Sequence, residues 1–161
     1  MRYKEFGLPT KSHIKKFLIY LYGDPPAINL DTHHGFFIIS TLSSTMEPRA
    51  TGLYLDIGNR RFKEQVEIHI PFHFSNSIKK NPSLLTIALI NRYLEDEFDH
   101  FLFEFVKNDW RRGKEIKKSI EKFADILLLE LEKDVTLDAL VKMEHRYWTK
   151  KERLANKIAI L

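Results

Sequence analysis

Lys142, Arg146, Lys150, Arg153 and Lys157 recur at three- and four-residue steps late in the chain. On a helix advancing about 100° per residue they fall within about 80° of arc, and Leu140, Met143, Tyr147, Leu154 and Ile158 take the other side. Cations in one row, with no acid among them, can meet successive phosphates and release the counterions condensed there. His145 and Thr149 flank the row and offer further hydrogen bonds. An ordinary solvated helix face has the same composition, so the stripe becomes a site only if its charges stay available. Lys11 and Lys15, with Lys16 beside them, form a second basic group near the N-terminal end. Arg60, Arg61 and Lys63 make a third, at the tip of an expected hairpin. Lys114, Lys118 and Lys122 are spaced for one helix face too, but Glu115, Glu121 and Asp125 lie among them, which predicts internal ion pairing.

The stretch from Leu129 to Met143 resembles a helix-turn-helix. Leu129, Val135, Leu140 and Met143 stand where that motif buries apolar residues, and Thr136 stands where its second helix is capped. The stretch departs from the pattern at Asp134 in place of the turn glycine, at Glu130 in place of a small residue, and at Lys133 in place of an apolar one. The resemblance implies that Asp138, Ala139, Lys142 and Arg146 face a DNA groove.

Other chemistry finds little support. Glu97 and His100 have the Glu-x-x-His spacing of carboxylate di-iron bundles, but such a site needs that motif twice and two further glutamates. His69 and His73 point the same way from an expected strand, with Glu67 beside them, yet they lie about 13 Å apart at 3.3 Å per residue. That is too far to share a small ion unless Pro71 introduces a bulge. His33 and His34 precede Gly35 in an expected loop. There is no glycine-rich phosphate loop and no nucleophile elbow, and Glu95, Asp96, Glu97 and Asp99 spread over a wide helix face. No catalytic residue, metal or cofactor is expected.

Several elements must position these side chains. Ile14, Phe17, Leu18 and Leu21 predict an N-terminal helix capped by Thr10 and ended by Gly23, Pro25 and Pro26. The run Phe36 to Leu42 favours a strand, although a short apolar run can equally be a buried helix. Leu53, Leu55 and Ile57 alternate with polar residues, as do Val66, Ile68, Ile70, Phe72 and Phe74, which predicts a hairpin with Pro71 on its edge. From about Ser83 to Trp110 a long helix is apolar on two sides. One face carries Leu84, Ile87, Leu94, Phe98, Phe101, Leu102 and Phe105, and the other Leu85, Leu89, Tyr93, Phe103 and Trp110. Ile116, Ile120, Phe123, Leu127 and Leu131 mark the next helix. After a turn at residues 132–135, Thr136 opens the last.

The 161 residues suit a single domain, which usually holds ~100–200. The fold class expected is α+β, an N-terminal helix and small antiparallel sheet packed on a C-terminal three-helix group. Cysteine is absent, which excludes disulfides and thiolate sites and suits a cytoplasmic setting. The opening residues are charged, so no secretory signal is expected, and no run reaches the ~18 apolar residues of a membrane helix. Of 26 basic and 22 acidic residues, positions 1–23 hold five and one, and positions 142–161 hold six and two. Basic ends around an acidic middle point to an anionic partner. The function expected is therefore non-enzymatic nucleic-acid binding, to DNA rather than RNA, through Lys142, Arg146, Lys150, Arg153 and Lys157 with Lys11 and Lys15. The alternative is an interaction or self-assembly module, such as a homodimer, that buries Leu89, Phe103 and Trp110 of the two-sided helix.

Overall fold

The computed structural model describes residues 2–44, 62, 64–74, 76–79 and 81–158, with side chains described through Thr149. Its architecture is α+β, with strands and helices in the N-terminal half and helices alone in the C-terminal half. The chain divides into two compact units, Met1–Glu95 and Asp96–Leu161.

In the first unit, strand β1 (Tyr3–Thr10) leads into helix α1 (Ser12–Tyr22), helix α2 (His33–Ser43), strand β2 (Glu64–Pro71) and the short 3-10 turn Phe72–Phe74. Strand β1 carries too much Lys, Glu, Gly and Pro to show an alternating apolar pattern. It forms because β2 does alternate and needs a partner: Val66, Ile68 and Ile70 are buried, and Gln65, Glu67 and His69 turn outward. The pairing is antiparallel, with Leu8 opposite Val66, Phe6 opposite Ile68 and Glu5 opposite His69. The other half of the expected hairpin, residues 53–57, and its basic tip at Arg60, Arg61 and Lys63 lie outside the described residues. Phe72 and Phe74 do not continue the strand. The chain turns after Pro71, leaving Phe72 57 % exposed.

Thr10 does not cap α1. It closes β1, and its hydroxyl donates to Asn91 Oδ1 at 2.6 Å, while Asn91 Nδ2 donates back to the Pro9 carbonyl at 2.8 Å. A buried hydroxyl and a buried amide satisfy each other there, so Lys11 is left at the cap position with no side-chain capping bond. Gly23 ends the helix as expected, in a positive-φ conformation (83°) that suits glycine.

The run Phe36 to Leu42 is helical, contrary to the strand expected, and His33 and His34 form its first turn rather than a loop. Two local features decide this. Thr32 caps α2 by accepting from the Gly35 N–H at 3.1 Å. Gly35 lies so close to the Asn29 carbonyl that a Cβ there would sit 1.7 Å from its oxygen. Ile38, Ile39 and Leu42 then face the core, with Phe36 and Ser40 outside.

Helix α3 (Leu84–Trp110) starts under a Ser83 cap, whose hydroxyl accepts from the Thr86 N–H at 3.2 Å. The division between the two units falls within α3. The second unit holds the rest of α3 with α4 (Ile116–Ile126) and α5 (Leu137–Ile158). Phe123 of α4 is its centre, with the rings of Phe98, Phe101 and Phe105 at 5.5–5.6 Å. Leu102, Val106, Ile120, Leu127 and Leu140 complete a core that excludes water.

Candidate nucleic-acid interface

Helix α5 begins as its sequence demands. Thr136 accepts from the Ala139 N–H at 3.1 Å, and Leu140 on the inner face is fully buried. Tyr147 and Trp148, half-buried, pack on Phe103 of α3 at 4.8 and 5.0 Å between centroids. Those contacts set the rotation of the helix and turn Lys142, His145 and Arg146 to solvent. The helix runs unbroken to Ile158, so the periodicity that groups Lys150, Arg153 and Lys157 with Arg146 is that of one helix. The side chains of Lys150, Arg153 and Lys157 lie beyond those described.

The expected row of uncommitted cations needs correction at Lys142. Asp138, one turn earlier, holds the Lys142 ammonium at 2.6 Å, with both side chains about 70 % exposed (68 and 72 %). The Arg146 Nε donates to the Lys142 carbonyl at 3.1 Å, and Arg146 has no carboxylate partner among the described residues. The Thr149 hydroxyl donates to the His145 carbonyl at 3.0 Å and so serves its own helix. In the other unit, Lys11 pairs with Glu95 at 2.8 Å and Lys15 with Glu64 at 3.6 Å.

The turn before α5 is not the tight one of a helix-turn-helix. Helix α4 ends at Ile126, and residues 127–136 intervene, where that motif allows about 3–4 residues. Leu129 lies in this connection and not on a helix. Leu128 and Glu132 take positive φ (54° and 72°), and the Asp134 carboxylate accepts from the Glu130 N–H at 2.7 Å. Asp134 occupies the turn because its carboxylate closes it, which a glycine could not do.

Two carboxylates of this unit are buried under opposite conditions. Asp109 receives Lys114 at 3.3 Å and Lys122 at 3.6 Å. Burial pushes its pKa up, but hydrogen bonds and charge from the two lysines outweigh this and hold it below the usual value. Glu144, on the inner side of α5, is 4 % exposed, and its Oε1 has no hydrogen-bond partner among the described residues. Burial raises its pKa, opposed by a hydrogen bond from Trp148 and the charge of His145. Spacing along α4 does not reveal Asp109, because it reaches Lys114 and Lys122 from a different helix. Lys118 pairs with Glu115 at 3.3 Å, as the pattern on α4 predicted. Arg111, Arg112 and Lys117, on the turn into α4 and in its first residues, are further exposed cations.

His100, of the Glu-x-x-His pair, is engaged by a hydrogen bond to the Tyr147 hydroxyl, 2.7 Å from Nδ1. His73 lies exposed in the 3-10 turn. His69 keeps different company: its ring stacks on Tyr3 at 5.8 Å, and ligand atoms of Glu5, Glu67 and His69 lie within 4.8 Å of one another. Among the described residues no helix is long and apolar enough to cross a membrane. Comparisons with protein-family models, curated proteins and solved structures found no match.

Proposed function

We propose that the protein binds nucleic acid, DNA in the first instance, through the outer face of α5, with no catalytic step. The observation that carries this is the length of α5. One continuous helix from Leu137 to Ile158 keeps the recurring cations on a single face, and Arg146 within it is exposed, with no carboxylate partner among the described residues. The Lys142–Asp138 pair does not remove Lys142 from the interface. An exposed i, i+4 pair is worth only ~0.3–0.5 kcal/mol, so a phosphate can replace the carboxylate. Lys11 and Lys15 are paired in a less exposed setting and contribute less. With no tight turn before it, α5 would meet the backbone as a charged rod, which favours contact with phosphates over base readout. A chain without cysteine suits a cytoplasmic setting for this activity.

The interaction-module alternative keeps one supporting feature, Trp110, which is 55 % exposed at the end of α3. Phe103, which it would also use, is 1 % exposed within a single chain. Anisotropy of a labelled duplex at low salt tests the proposal, with Kd expected on the order of 10⁻⁶ M. Reversing Arg146 and Lys150 together to Glu should abolish binding and leave the helical circular dichroism unchanged. Equal affinity in that variant would overturn the proposal.

A further inference from the structure

We propose that Glu5, Glu67 and His69 form a site for one divalent transition-metal ion, zinc by chemistry, on the outer face of the two-stranded sheet. Strand register brings them together. Glu5 stands directly opposite His69, and Glu67 lies two residues along the same strand, so all three side chains leave the same face. The residue opposite Glu67 is Gly7. The Gln65 side chain lies over that glycine, and Glu67 reaches the imidazole, with Oε1 3.5 Å from His69 Nε2. Zinc–ligand bonds of about 2.0–2.2 Å place neighbouring ligands of a tetrahedron roughly 3.3–3.6 Å apart. The Glu67–His69 pair already has that separation. Glu5, within 4.8 Å of both, closes the third edge by side-chain rotation alone.

The imidazole is also held in place. The His69 N–H donates to the Pro26 carbonyl, and its carbonyl accepts from the Ile28 N–H, each at 2.8 Å. Its backbone is thus bonded on the side away from β1, while Tyr3 stacks on the ring. A ligand fixed on a strand loses little freedom on binding. The two carboxylates repel each other at this range, and a divalent cation removes that repulsion. Three protein ligands on an open face leave a fourth position for water. One imidazole and two carboxylates suit zinc better than calcium, which takes oxygen ligands only.

Zinc titrated calorimetrically into the full, untagged chain should give one saturable equivalent. Glu5→Gln, Glu67→Gln and His69→Gln should each weaken it by at least about 10–100-fold, since losing a ligand costs no less than losing a residue that only orients one. His73→Gln, nearby but outside the cluster, should leave the affinity unchanged. The helical circular dichroism of each variant should match the parent, because the sheet hydrogen bonds at residue 69 are made by main chain. Absence of saturable binding would show that Glu67 and His69 form only an ion pair. Zinc held equally well by Glu5→Gln or His69→Gln would place the metal elsewhere. Either result overturns the site.

Discussion

Helices α4 and α5 both carry cations at four-residue spacing, and they dispose of them in different ways. On α4, Lys114 from the preceding turn and Lys122 converge on Asp109, a carboxylate with a side chain only 5 % exposed, and Lys118 is held by Glu115. On α5 the only ion pair among the described residues is Lys142–Asp138, with both partners in solvent. A lysine that leaves Asp109 strands a buried charge, whereas one that leaves Asp138 returns two groups to water. The first arrangement is part of the fold, and the second is exchangeable. Two rows that look alike as sequence therefore differ in whether an incoming phosphate can claim their charge.

The contrast depends on α5 being anchored by its inner face. Phe103→Ala removes the ring on which Tyr147 and Trp148 pack, and it should cost ~3–5 kcal/mol. Thermal melts at two protein concentrations should show the same loss at both. If the variant were a folded monomer and the parent melted higher at higher concentration, α3 would be a dimer seam.

Asp109→Asn attacks the α4 side directly. It should free Lys114 and Lys122, destabilise the fold at neutral pH, and steepen the salt dependence of duplex binding by up to roughly 1.8, or 0.9 per lysine. The pH dependence has a definite sign. The folded-state pKa of Asp109 is lowered, so its contribution is present above the ordinary carboxylate range and is lost as pH falls through the folded value. The stability difference between parent and variant should shrink in acid, as urea melts over a pH series can follow.

Glu144 behaves in the opposite sense. Its folded-state pKa is raised, so the parent is stabilised at low pH and loses that contribution as pH rises through the folded value. Glu144→Gln should match the parent in acid and exceed it at neutral pH, in the same melts. The smallest effect belongs to Asp138→Asn, which should change stability by no more than about 0.5 kcal/mol. It should tighten duplex binding slightly, because Lys142 is then uncommitted.

How far the sequence foretold this molecule depended on the range of the causes. The 27 residues of α3, the cap at Thr136 and the alternation of Val66, Ile68 and Ile70 follow from local periodicity and appear where expected. Strand β1 was missed because its burial comes from β2, some sixty positions away, and its own Lys4, Glu5, Gly7 and Pro9 show no pattern. The β-branched and aromatic run Phe36 to Leu42 favours a strand by composition, while the Thr32 cap that sets helix α2 lies outside that run. The cluster of Glu5 with Glu67 and His69 was invisible for the same reason as β1, since register creates it. Charge followed this rule too. The Lys118–Glu115 pair is local and legible, whereas the Asp109 pairs join different elements of the chain.

The central claim is that the outer face of α5 presents exchangeable cations to a phosphate backbone. Its most direct test is the slope of log binding constant against log salt for duplex DNA, measured on the parent and on Arg146→Glu/Lys150→Glu. At roughly 0.9 per phosphate neutralised, Lys142, Arg146, Lys150, Arg153 and Lys157 predict a slope near −4 to −5, which should fall in magnitude by about 2 or more in the double variant. A parent slope near zero, or the same slope in both proteins, would contradict the account.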